Sequence, residues 1–115
     1  MRVKTGKNGA VFANINPAMI RVITAADSVW EAQLRLEPVI TSGTDGYHRP
    51  KSGRPSLHYS GRAFDLRTWD REGHQLTYPA KTRLANALRN HLDSDFDVIV
   101  EDTHIHVEYD PKDLK

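Results

Sequence analysis

Two β-rich runs near the end of the chain, Phe96-Asp97-Val98-Ile99-Val100-Glu101 and His104-Ile105-His106-Val107-Glu108-Tyr109, flank the polar pair Asp102-Thr103. Such a pattern reads as a β-hairpin. It constrains everything else, because a lone hairpin is marginal in water and needs further strands or helices against its apolar side. Residues two apart on a strand share a face. His104 and His106 therefore project together, while Ile105 and Val107 project the other way, toward a core.

The remaining elements can supply that core. Asn16-Pro17 is a helix start, with asparagine as N-cap and proline in the first helical position. Met19, Ile20, Ile23, Ala26, Val29 and Trp30 follow at helical spacing, which predicts an amphipathic helix over 17–33. Pro38-Val39-Ile40-Thr41 reads as a buried strand ending at Ser42-Gly43. Residues 43–55 read as a loop. Arg62 to Thr68 alternates as a strand, with Ala63, Asp65 and Arg67 on one face and Phe64 and Leu66 on the other. Asp70 to Gly73 is a turn. A second helix is expected from about Ala80 to Leu92, burying Leu84, Ala85, Leu88 and Leu92. Residues 1–15 have no assignment beyond a turn before Val11-Phe12-Ala13. The expectation is an α+β fold in which a small antiparallel sheet is flanked by two helices.

A chain of 115 residues is expected to form one domain over 1–115, and its 38% hydrophobic and 27% charged residues suit a packed core. A net charge of +1 gives no reason to expect a nucleic-acid partner. With no cysteine, a metal site would have to use histidine and carboxylate. No stretch is long and apolar enough for a membrane span. No apolar segment follows the basic Met1-Arg2-Val3-Lys4, so synthesis in the cytoplasm without a secretory signal is expected, as is a monomer.

Chemistry concentrates in two stretches, Ser56-Leu57-His58-Tyr59-Ser60-Gly61-Arg62-Ala63-Phe64-Asp65 and Glu101-Asp102-Thr103-His104-Ile105-His106. Two imidazoles on one strand face suit zinc, and the third and a further ligand can come from Asp65 and His58 if the sheet brings them beside the hairpin. Each piece also has an ordinary reading. His-x-His can be a solvated face, Asp65 an ion-pair partner of Arg67, and Gly61 a turn residue. Asp45, Asp70 and Glu72 hint at calcium, but they are scattered in sequence.

Together, Ser56-x-His58-x-x-Gly61-x-Ala63-x-Asp65 and His104-x-His106 resemble the two signatures of the zinc D-alanyl-D-alanine carboxypeptidases and related phage endolysins. The hedgehog signalling domain shares that zinc fold and both signatures. The Ser56–Asp65 stretch and the run from Phe96-Asp97 to His106 look very like it, so the resemblance covers roughly residues 38–109. It implies that His58, Asp65 and His106 hold zinc, and that His104 stands beside the metal as a catalytic residue steadying an oxyanion. It also implies that Glu101 is the general base and then the general acid. The Glu101 spacing follows hedgehog rather than those peptidases whose acid lies three residues before the ligand histidine, and Asp102 is a second candidate base. The arginine that related carboxypeptidases carry after Ser-Gly is missing from Ser42-Gly43-Thr44-Asp45. His48 and Arg49 are tentative substrate-binding residues, with Lys51 and Arg54 as other candidates.

The function expected on this basis is a zinc metallopeptidase. It would hydrolyse bonds next to D-amino acids in peptidoglycan peptides of the cell wall or periplasm, as a carboxypeptidase or an endolysin-type endopeptidase. The alternatives are a non-catalytic zinc-containing binding module of the hedgehog type and a vestigial virion protein.

Overall fold

The computed structural model describes residues 1–3, 15–43 and 62–111. Strand β1 is Arg2–Val3. A 3₁₀ turn at Pro17–Met19 leads directly into helix α1, Ile20–Leu34. Asn16 caps this start, its Oδ1 accepting from the Ala18 N–H at 2.9 Å. The helix stops where Arg35 turns left-handed, φ 55°, and its N–H donates to the Glu31 carbonyl at 3.1 Å. Strand β2 follows at Val39–Ser42 and strand β3 at Ala63–Arg67. Helix α2 is Tyr78–His91, and strands β4 (Phe96–Val100) and β5 (His104–Tyr109) complete the chain order.

Both helices agree with the sequence reading, but α2 begins two residues earlier than expected. Thr77 is its N-cap, its Oγ1 accepting from Ala80 N–H at 3.3 Å, and Pro79 occupies the first turn, where a missing N–H costs nothing. Thr77-Tyr78-Pro79, unassigned from the sequence, is thus the helix start.

The sheet order is β1-β2-β3-β5-β4. All pairings are antiparallel except β1 with β2, so the sheet is mixed rather than wholly antiparallel. The parallel edge rests on two residues, too short to leave an alternation in the sequence. Between Ile40 and Ser42 the register with β3 shifts by a bulge, beside Asp65.

One face of the sheet carries the core. Ile40, Phe64, Leu66, Val98, Ile105 and Val107 pack with Met19, Val22, Val29 and Trp30 of the first helical segment and with Leu84 and Leu88 of α2. Lys81, only 6% exposed, reaches from α2 to the tip of the β4–β5 hairpin. Its Nζ donates to the Asp102 carbonyl at 2.7 Å and to the Glu101 carbonyl at 3.3 Å. Those bonds offset the cost of burying the ammonium and pin the hairpin turn to the helix. Gln75 Nε2 adds a bond to the Thr103 carbonyl at 3.2 Å.

Candidate metal centre

The opposite face of the sheet carries the polar residues. In the β3–β5 ladder Asp65 faces His106 and Arg67 faces His104. Their neighbours Phe64, Leu66, Ile105 and Val107 are all buried on the core side, so a one-residue slip would bury the whole polar set. Register is therefore strongly specified, and with it the meeting of Asp65 and His106.

Asp65 Oδ1 lies 3.0 Å from His106 Nδ1 and 3.6 Å from His104 Nε2. Thr103 Oγ1 stands 3.0 Å from His104 Nδ1 and steadies that ring. The second nitrogen of His106, Nε2, is 2.9 Å from Glu108 Oε1. Zinc holds nitrogen and oxygen donors at about 2.0–2.2 Å, so two donors at a tetrahedral angle stand roughly 3.3 Å apart. The Asp65–His106 and Asp65–His104 spacings both lie within a few tenths of an ångström of that value, and the donor chemistry suits zinc. His58, the remaining ligand expected from the sequence, lies outside the described residues, as do His48, Arg49, Lys51 and Arg54.

Glu108 was absent from the sequence-based site. The signal was present: the alternation that pairs His104 with His106 extends one step further to Glu108. Glu101 stands at the hairpin turn, beside the Asp102-Thr103 pair. Val100 pairs with Ile105, and the Glu101 N–H donates to the His104 carbonyl at 2.9 Å, closing the turn over Asp102 and Thr103. Glu101 is exposed, and its carboxylate makes no hydrogen bond or ion pair among the described residues.

Burial pushes the His106 pKa down, but the hydrogen bonds and charges of Asp65 and Glu108 outweigh burial and raise it to about 9. In metal-free protein, a folded pKa above the unfolded one means that protonated His106 stabilises the fold. That contribution, on the order of 3 kcal/mol, is fully present below about pH 6.5 and lost as pH rises through about 9. Urea unfolding of chelator-treated protein should therefore show stability falling between pH 6.5 and 9.5. A His106→Gln variant should lack that fall; an equal fall in both proteins would contradict the assignment.

Among the described residues two further groups could hold a metal ion, the second sharing Glu108 with the contact to His106. Asp70, Glu72 and His74 form one group, and Asp97, Glu108 and Asp110 another. In the first, Asp70 Oδ1 accepts the N–H groups of Glu72 and His74, both at 2.9 Å. The turn thus gathers two of the three acidic residues that looked scattered in sequence; Asp45 lies outside the described residues. No described helix is long and apolar enough to cross a membrane.

The family model of the Hedgehog amino-terminal signalling domain matches residues 6–108. None of the curated proteins and none of the solved structures compared with the chain gives a match. The α+β architecture of two helices and a five-stranded mixed sheet is that of the hedgehog domain.

The family match overturns the peptidase reading. A carboxypeptidase or endolysin assignment, a hydrolase activity and a peptidoglycan substrate all give way to a signalling domain that binds receptors. Cytoplasmic placement with a cell-wall substrate gives way likewise, because the family's domain is a secreted signal. The two signatures are common to the hydrolases and the signalling domain, so they reported shared metal chemistry and not its use. The inference from Glu101 to catalysis fails with them. An exposed carboxylate beside a tight turn is accounted for by solvation alone.

Proposed function

Since the chain belongs to the Hedgehog amino-terminal signalling-domain family, we propose that it acts as a signalling ligand, a non-catalytic module that binds a cell-surface receptor and contains zinc held by His58, Asp65 and His106. The observation that carries this reading is the family match over residues 6–108, which spans both motifs. The approach of Asp65 Oδ1 to His106 Nδ1 supports the metal part. When bound, zinc supplies a cross-link: it ties β3 and β5 to the segment that carries His58, in the manner of a structural site.

The surface suits a protein partner. On the strand face that bears the histidines, Ile99 opposes His106 and is 41% exposed. Nearby, the Arg67 guanidinium lies 3.9 Å from the ring centroid of Trp69, itself 43% exposed. Arginine and tryptophan are enriched among the residues that dominate protein–protein binding energy.

The test combines two measurements on zinc-loaded protein. Saturable binding to the extracellular part of a hedgehog receptor is expected, with about one zinc per chain by elemental analysis. Incubation with cell-wall peptides, followed by mass spectrometry, should yield no product. Cleaved wall peptide would sink the non-catalytic reading, and a chain that takes up no zinc would sink the metal part.

A further inference from the structure

His106 stands between two carboxylates, with Asp65 on its Nδ1 and Glu108 on its Nε2. A neutral imidazole that gives one nitrogen to a metal carries its proton on the other. Asp65 and Nδ1 face each other as two donors on the metal side. Nε2 then bears the hydrogen, and the nearest acceptor is Glu108 Oε1 at 2.9 Å. We propose that Glu108 is the positioning carboxylate of the metal centre, accepting the Nε2–H of His106 so that the Nδ1 lone pair is held toward Asp65 and the metal.

This proposal rests on the zinc reading above and adds one residue to it. Its physical basis is the general behaviour of metal-bound histidines, whose second nitrogen is held by an outer carboxylate or carbonyl that orients the ring and strengthens it as a donor. The local structure supplies what the role requires. His106 and Glu108 are two residues apart on β5, so they share a face, and a side chain of glutamate length can fold along the strand to reach the ring. Both side chains are largely buried, at 16% and 18% exposure, so solvent screens the contact little. Ala63, opposite Glu108 on β3, offers no side-chain donor to compete for its carboxylate.

Zinc affinity, measured by competition with a chromophoric chelator, is compared in wild type, Glu108→Ala and Glu108→Gln. Loss of such an outer partner typically weakens metal binding about 10–100-fold, and Glu108→Ala should fall in that range. Glu108→Gln keeps an acceptor oxygen and should recover part of the loss. In zinc-loaded wild type, ¹⁵N NMR of the His106 ring should show metal on Nδ1 and hydrogen on Nε2, a readout that does not depend on either variant folding. Equal affinity in wild type and Glu108→Ala, glutamine no better than alanine, or metal on Nε2 would each overturn the role of Glu108 alone. Wild type that binds no zinc would instead remove the metal reading and this proposal together.

Discussion

Replacing His106 by alanine is expected to remove the zinc-dependent stability of the protein. A ligand present at about 1,000 times its Kd stabilises the native state by about 4 kcal/mol, which for a chain of this size is roughly 15 °C in Tm. Wild type should show that gap between zinc-loaded and chelator-treated samples, and His106→Ala should show none. The variant should also be weakened in the absence of metal. It leaves the carboxylates of Asp65 and Glu108, both largely buried, without the imidazole between them. Removing one partner of a buried charge pair costs roughly 3–5 kcal/mol. His104→Ala is the control: His104 is more exposed, at 29%, and stands 3.6 Å from Asp65, so its loss should leave the zinc-dependent gap in place. A gap that survives in His106→Ala and vanishes in His104→Ala would reverse the ligand assignment. Calorimetric scans of the three proteins with and without chelator decide the matter.

The second large effect is expected in the layer beneath the proposed metal centre. Phe64 is 1% exposed and neighbours Asp65 on β3, pointing into the core while Asp65 faces the metal side. Truncating a buried phenylalanine to alanine costs about 3–5 kcal/mol, a large fraction of the roughly 5–15 kcal/mol that holds a domain together. Phe64→Ala should therefore move the urea midpoint far down. Zinc should recover part of that stability, because the donors on the other face are unchanged. Ile99→Ala, on the exposed side of β4, should shift stability by no more than about 0.5 kcal/mol. A cost below about 1 kcal/mol for Phe64→Ala would mean that β3 does not depend on this packing.

Secondary structure is legible in the sequence where a repeat is long enough to be read. Helix α1 and the β4–β5 hairpin carry their periods over 15 residues and over two strands of five and six. Strand β1, at two residues, carries none, and its parallel pairing with β2 depends on a neighbour remote in sequence. The helical apolar stripe of α2 begins only at Leu84, so periodicity does not reach back to its first residues, and the Thr77–Ala80 cap fixes the start at Tyr78.

The site divides in the same way. His104-x-His106 on one strand face, and Asp65 on the polar face of its own strand, follow from residue spacing because side chains alternate with period two. That Asp65 meets His106 rather than His104 depends on the β3–β5 register, which is set by burial of Phe64, Leu66, Ile105 and Val107 and not by the motif. The same register, with the side-chain length of glutamate, brings Glu108 onto Nε2. Tertiary contacts also decide where Glu101 stands, since Lys81 of a distant helix holds the carbonyls of its turn. Sequence alone therefore determined the candidate ligand types and the strands that display them, because ligand chemistry and strand alternation are local properties. Which donors converge, and which carboxylate stays in water, only the packed sheet decided, because those outcomes depend on register between strands some forty residues apart.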